Sequence, residues 1–216
     1  EVAFQKESDG SDWQEIPLNQ TSRTLPQKNS LLAVWNTTHP YPSKEGMEGA
    51  SPLNGDYVIL LTAFDKSGHE KSVKQTVIVD NKSPEAFISQ PVNYQQVGAG
   101  VSTSPSEVRI IGTADDENFA EYVIEYGPGE SPPKWDSVAE TPFLKGVRDN
   151  LLTVWNTQGK SGKYTVRLRV IDKAQHQSEA RVIINVKEPI LSSTGGEATD
   201  NNSNAEIIIP PNSLST

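Results

Sequence analysis

The sequence predicts an all-β chain built from two copies of one β-sandwich module. Residues 162–187 contain two stretches of alternating apolar and polar side chains separated by a polar turn, which is typical of a half-buried antiparallel hairpin. Residues 55–80 repeat this pattern, and no amphipathic stretch of helical period is longer than one turn. Fifteen glycines, fifteen prolines and a hydrophobic fraction of 34% favour short strands, many turns and two thin cores over one large core.

The second copy, residues 83–188, is predicted to contain seven strands. In its closing hairpin, Tyr164, Val166 and Leu168 fall on one side of an extended chain, and the turn follows from Asp172. Turn-forming residues separate the other predicted strands. The strands before the hairpin cover residues 85–89, 106–113, 119–126, 135–139 and 151–156.

The first copy, residues 1–82, aligns with the second in three blocks. Residue 1 falls inside the third strand of the module, so we expect this copy to lack its two opening strands. The remaining strands leave a core face and an edge uncovered. Two explanations stay open: the chain is a piece of a longer protein, or another chain donates the strands. The aligned blocks are Trp13 with Trp135 (135 − 13 = 122), residues 31–37 with 151–157 (151 − 31 = 120), and Tyr57 with Tyr164 (164 − 57 = 107).

The drop in offset from 120 to 107 places 13 extra residues after Asn36 in the first copy. This insertion is rich in Pro and Gly and contains His39, Tyr41 and Met47. Long loops on a sandwich often carry binding functions. His39 and Tyr41 are therefore candidate binding residues, with plain length variation as the alternative.

A second candidate surface lies on the outward face of the first hairpin strand. Val58 and Leu60 occupy positions at which the second copy has Thr165 and Arg167. An apolar outer face favours a cover, supplied by the inserted loop, a neighbouring domain or a protein partner. Val58 and Leu60 are therefore candidate binding residues, and ordinary exposure of two apolar side chains is the alternative.

The C-terminal part of the chain changes character after Lys187. Residues 189–204 form a tract rich in Ser, Thr, Gly and Asn that predicts a flexible linker. Residues 205–216 contain the apolar run Ile207–Ile209, which two prolines end. This run predicts the start of a following domain or a strand that pairs elsewhere.

Composition argues against several classes of function. The net charge of −9 (19 Lys and Arg against 28 Asp and Glu) disfavours binding to nucleic acid and to anionic membranes. No apolar run approaches the roughly 20 residues of a membrane helix, so we predict no membrane insertion. The absence of cysteine excludes disulfides and Cys-ligated zinc. No HExxH motif, Gly-x-Ser-x-Gly elbow or histidine pair at ligand spacing is present, and we predict that this chain is not an enzyme.

No cofactor is expected, and calcium is the candidate metal. Asp115, Asp116 and Glu117 concentrate carboxylates in one loop, and Asp80 lies at the module junction. Calcium prefers six to eight oxygen ligands, which such loops supply. The alternative is that these groups are only solvated. Asp65 and Asp172 each precede a turn, where an Asp side chain commonly caps the backbone. The four tryptophans form two aligned pairs, which favours packing over sugar binding.

The repeat resembles the bacterial immunoglobulin-like or fibronectin-III-like tandem modules, across about residues 1–187. The seven-strand count agrees with such a sandwich. The matching residues are Tyr126-Gly127-Pro128-Gly129, Trp135, Leu152-x-Val154-Trp155-Asn156-Thr157, Gly162-x-Tyr164-x-Val166-x-Leu168, Asp172, and the junction Val79-Asp80-Asn81-Lys82-Ser83-Pro84.

The resemblance implies two tandem immunoglobulin-like sandwiches, the first without its opening strands, followed by a linker and a stray strand. It also implies a secreted or cell-surface bacterial protein in which such modules act as spacers or adhesive elements. We therefore predict a non-catalytic structural or adhesive region that contacts protein partners or neighbouring domains. The alternatives are a polysaccharide-binding accessory region of a secreted enzyme, and a subunit that assembles by strand donation.

Overall fold

The computed structural model describes residues 1–8, 12–18, 29–38, 53–97, 107–187, 193, 195–199 and 205–213. Every regular element within these ranges is a β-strand, so the all-β prediction is confirmed. None of the described segments forms a helix able to cross a membrane. The chain divides into two compact units, Glu1–Lys82 and Ser83–Thr216.

The first unit contains one antiparallel sheet with the strand order β2-β1-β3-β4. The hairpin predicted at residues 55–80 forms its two long strands, which pair in register from Gly55 and Val79 to Phe64 and Glu70. The strands are β1 (Val2–Lys6), β2 (Gln14–Glu15), β3 (Gly55–Phe64) and β4 (Glu70–Val79).

The second unit is a two-layer sandwich. A sheet of order β10-β7-β5 and a sheet of order β6-β12-β11-β8-β9 share one core, which includes Ile110 and Trp155 from the first sheet and Val166 and Leu168 from the second. The strands are β5 (Glu85–Gln90), β6 (Gln95–Val97), β7 (Glu107–Asp115), β8 (Phe119–Pro128), β9 (Asp136–Ser137), β10 (Val147–Asn156), β11 (Gly162–Asp172) and β12 (Gln177–Val186).

Both units contain the same aromatic triad, which supports the alignment of the two copies. In the first unit the ring centroids of Phe4 and Trp35 lie 4.3 Å apart, and those of Trp35 and Tyr57 lie 5.3 Å apart. In the second unit the ring centroids of Tyr126 and Trp155 lie 4.5 Å apart, and those of Trp155 and Tyr164 lie 5.7 Å apart. Large aromatic rings fill core space that the side chains of short strands do not reach. The second triad consists of Tyr126, Trp155 and Tyr164.

Residues 31–37 differ from their aligned strand in the second unit. Residues 151–156 belong to β10 and pair with β7. Residues 31–37 form only an isolated bridge, between Ala33 and Leu18. A strand needs a ladder partner for its backbone groups, and the described part of the first unit contains no counterpart of β7.

The C-terminal region requires a correction. Strand β13 (Gly196–Thr199) lies inside residues 189–204, for which a flexible linker was predicted. It pairs antiparallel with β14 (Glu206–Ile209), the apolar run expected to form a strand. A tract of small polar residues can form a strand when a neighbouring apolar strand provides its backbone hydrogen-bond partners. The composition of the tract alone does not reveal such a partner.

Candidate functional site

The sheet of the first unit has two different faces. Along β3, Tyr57, Ile59 and Leu61 alternate with Val58 and Leu60, because successive side chains of a strand point to opposite sides. We call the face with Tyr57 the inner face and the face with Leu60 the outer face. The inner row continues onto the neighbouring strands through register partners, which are Phe4 and Val2 on β1 and Val77, Gln75 and Val73 on β4.

The inner face is covered at one end and open at the other. Tyr57 and Phe4, two members of the aromatic triad, are buried in the core of the first unit. Further along, Leu61 is 37% exposed and its partner Val73 is 60% exposed. Leu168, which aligns with Leu61, is fully buried beneath the second layer of its sandwich. Val2, the β1 partner of Leu61, is buried, so this end is covered on the β1 side. Towards β4, Leu61 and Val73 form an apolar surface without a cover among the described residues.

Sequence reasoning anticipated an uncovered face but did not place it at Leu61 and Val73. The position of the open end can be found by comparing strand β4 with its aligned strand β12. Val182 in the second copy corresponds to Gln75 in the first (182 − 75 = 107), and Val182 is buried while Gln75 is exposed. A polar residue in an otherwise apolar row marks the place where the core ends.

The predicted residues Val58 and Leu60 lie on the outer face and are half-buried. Their register partners on β4 are Thr76 and Lys74. The ammonium nitrogen of Lys74 lies 5.3 Å from the centroid of the Trp13 ring, so Trp13 lies over this part of the outer face. Trp13 is therefore part of the cover of this face, in addition to the three sources that the sequence suggested.

The second unit has the same arrangement with charged groups in place of apolar ones. The Trp135 ring, aligned with Trp13, lies 4.0 Å from the guanidinium carbon of Arg167. Glu125 accepts hydrogen bonds from Arg167 at 2.8 and 3.0 Å and from Arg169 at 2.9 Å. Glu179 forms ion pairs with Arg167 and Arg181. This outer face is held together by an ion cluster.

The first unit replaces that cluster with apolar and hydroxyl groups. Leu60 stands where Arg167 does, and Ala3 stands where Glu125 does. Thr62 and Ser72, at the positions of Arg169 and Glu179, share a hydrogen bond of 2.9 Å. In each unit these polar groups bond to one another. Val58 and Leu60 therefore lie on an outer face whose side chains are matched within the unit.

The predicted binding residues His39 and Tyr41 lie outside the described residues, so a binding role for the insertion, including polysaccharide binding through Tyr41, stays a prediction. The base of the insertion is described. The Asn81 amide nitrogen donates to the carbonyls of Leu53 at 2.6 Å and Thr37 at 3.2 Å. The Thr37 hydroxyl donates to the Asn81 amide oxygen at 3.1 Å. One asparagine therefore fixes both ends of the inserted segment.

The predicted calcium ligands are engaged with protein groups. Asp115 forms an ion pair with Arg148, and the Asp116 carboxylate accepts a hydrogen bond of 2.7 Å from the backbone of Asn118. Glu117 is exposed in the turn between β7 and β8. Asp80 belongs to the first unit, where its carboxylate accepts from the backbone of Lys82 at 3.0 Å. Calcium binding there stays a prediction, and the ion would have to displace these partners.

The two hairpin turns carry the same Asp–His pair. The Nδ1 atom of His69 lies 2.9 Å from a carboxylate oxygen of Asp65, and that of His176 lies 2.9 Å from Asp172. The second carboxylate oxygen accepts from the histidine backbone in each case. The predicted capping role of both aspartates is confirmed. The pair closes a turn, and its repetition follows from the module repeat.

Other titratable groups reflect local packing. The hydrogen bond from His69 holds the pKa of Asp65 below its usual range. Burial raises the pKa of Tyr122, whose hydroxyl donates to the Leu152 carbonyl. The hydrogen bond to Glu130 raises the pKa of Lys163. Each shift has a structural cause within its own unit.

No protein-family model matches this sequence, and no curated protein matches it. Function must therefore be argued from the geometry of the chain. The feature that stands out is the open end of the inner face, with Leu61 and Val73, beside the long edge strand β4.

Proposed function

We propose that this chain is a non-catalytic structural or adhesive region of a larger extracellular or surface protein. Its two units act as immunoglobulin-like spacer modules, and the first unit makes protein contacts through the open end of its inner face. The observation that supports this is the exposure of Leu61, whose counterpart Leu168 is fully buried in the second unit, together with the exposure of its register partner Val73.

The energetics favour a protein cover for this surface. Fully burying a Leu or Val side chain contributes about 1.5–3 kcal/mol relative to leaving it exposed. In the second unit that gain comes from strands β5, β7 and β10, which pack onto the same row. A partner of the first unit therefore needs an extended segment with apolar side chains at alternate positions, as in Val108 and Ile110 of β7.

A chimera tests this proposal directly. Residues 83–122 of the second copy are fused before Glu1, since residue 1 aligns with residue 123 (1 + 122). The added strands should cover Leu61 and Val73 and supply a ladder partner for residues 31–37. We expect slower amide exchange in β3 and β4 and weaker binding of a hydrophobic dye, measured by hydrogen–deuterium exchange mass spectrometry and fluorescence.

The matched control carries the same extension with Val108→Asp and Ile110→Asp in the added copy only. These two side chains are buried in the native second unit, so their replacement removes the apolar row while keeping the length. The control should leave exchange in β3 and β4 unchanged. Equal exchange in the parent chain and in the unmodified chimera would contradict the proposal, because the inner face would then not accept strands.

A further inference from the structure

Strand β4 is an exposed sheet edge. It is ten residues long, it pairs with β3 on one side, and no described strand pairs with its other side. An edge of this length presents a row of backbone donors and acceptors to another strand. Val73, its fourth residue, is 60% exposed.

Strand β14 is a second sheet edge, because no described strand pairs with the side that faces away from β13, and it is strongly apolar. It belongs to a two-stranded sheet with β13, and a hairpin of two strands is marginally stable alone. Ile207 and Ile208 are 64% and 69% exposed. Pro210, which follows the strand, lacks a backbone donor and ends the segment available for pairing.

We propose that β14 of one copy of this chain adds to the β4 edge of a second copy, extending the sheet of the first unit. The inference goes beyond the proposed function, because it uses the backbone edge of β4 beside the open inner face and assigns that edge to a second copy. The antiparallel register that places Ile207 opposite Val73 extends the open apolar row by one side chain. The same register places Glu206 opposite Lys74 and Ile208 opposite Ser72.

Charge supports this pairing. Strand β4 carries Lys71 and Lys74 besides Glu70 at its first position, and β14 carries Glu206, which this register places opposite Lys74. Opposite charges directly across a strand pair favour pairing, and like charges there oppose it. The Lys74 ammonium lies near the Trp13 ring on the outer face, which is the side that Glu206 would share in this register.

The corresponding edge of the second unit is already occupied. Strand β12 pairs with β6 from Ile184 to Val186. Just before this, the backbone of Ile183 exchanges hydrogen bonds with Asn93 and Tyr94. The β4 edge has no such neighbour among the described residues. The structure therefore favours β4 over β12 as the acceptor of an added strand.

Sedimentation velocity over a range of protein concentrations tests the inference on the full chain. The parent chain should associate as concentration rises. Lys74→Glu and Glu206→Lys should each weaken association by about fivefold or more, because an attractive pair becomes a repulsive one. The double variant should restore it. Lys66→Glu, in the exposed turn of the same hairpin, is the charge-matched control and should have no effect.

A chain that stays monomeric at all concentrations overturns the inference, and so does a double variant no better than the single ones. Ile207→Lys provides a separate readout that leaves the first unit untouched, and undiminished association in that variant also overturns it. The result is distinguishable from a failure of the proposed function. If the chain stays monomeric but the chimera with residues 83–122 gains amide protection, the open inner face is supported. The pairing with a second copy is then wrong.

Discussion

At the scale of single residues, the repeated Asp–His turn shows how one carboxylate closes a hairpin. Asp65 accepts from the backbone of Ser67 and His69 at 2.8 and 3.0 Å and from the His69 ring. All of these favour the ionised carboxylate. The pKa of Asp65 is accordingly lowered, with the side-chain hydrogen bond from His69 as the largest cause.

The lowered pKa of Asp65 predicts an acid-dependent loss of turn stability. Because the folded pKa lies below the unfolded value, the contribution is fully present above the ordinary value of 3.8 and is lost as pH falls through the folded pKa. A carboxyl NMR titration should give a midpoint below 3.8 for Asp65, and His69→Ala should raise it. Lys66→Ala, which changes an exposed residue of the same turn, should leave the midpoint in place. A midpoint insensitive to His69→Ala would contradict this assignment.

The aspartates also show what the sequence can predict about a site. Asp before a run of turn-forming residues identified the cap in both copies, since the interaction is local. Trp13 was different. Its place over Lys74 and the outer face depends on contacts between β4 and the segment before β2, which no local pattern contains. The sequence predicted a cover for Val58 and Leu60 from the inserted loop, a neighbouring domain or a partner, and it did not identify Trp13 as a residue over this face.

At the scale of elements, the two outer faces are two solutions to one packing problem. The second unit uses Glu125 with Arg167 and Arg169, whereas the first uses Ala3 with Leu60 and Thr62. Glu125 and Arg167 side chains are each 15% exposed, so both charges are largely desolvated. Largely buried ion pairs often gain little over apolar groups of similar volume, but removing one partner alone is costly.

This comparison predicts a strong coupling between Glu125 and Arg167. Glu125→Ala alone leaves two guanidinium groups without their shared carboxylate and should destabilise the second unit by about 1–3 kcal/mol. The double change to Ala and Leu, which copies the first unit, should recover most of that loss. Urea unfolding of the four variants gives the double-mutant cycle. Additive effects of the two substitutions would show that the cluster is only a set of surface charges.

Strand prediction succeeded where alternation was sustained and failed where pairing was non-local. The strands β5, β7, β8, β11 and β12 follow the period-two pattern closely. Strand β6 has only three residues and pairs parallel with β12, so Gln95 and Gln96 gave no apolar signal. Residues 31–37 carry a good strand pattern, but the structure gives them an isolated bridge between Ala33 and Leu18 where residues 151–156 pair with β7. Strand formation therefore depends on a neighbouring strand as well as on the pattern.

At the scale of the molecule, the two units have separate cores. The core of the first unit contains Val2, Phe4, Ile16, Tyr57 and Val79, and none of these residues belongs to the core of the second unit. Separate cores predict separate unfolding events, since cooperativity follows shared buried surface. The difference between the cores is one of completeness: the second has two layers, and the described first unit has one sheet with a partial cover.

This difference predicts unequal costs for the same substitution at aligned positions. Leu168→Ala empties a fully buried site in β11 and should destabilise the second unit by about 2–5 kcal/mol, whereas Leu61→Ala at a 37% exposed site should cost the first unit about 1 kcal/mol or less. Amide exchange on the intact chain separates the two units: Leu168→Ala should reduce protection in β7, β10, β11 and β12 while leaving β1 and β3 unchanged.

Fusing residues 83–122 before Glu1 should then raise the cost of Leu61→Ala toward that of Leu168→Ala, because the added strands bury its side chain. An unchanged cost in the chimera would mean that the added strands do not cover Leu61.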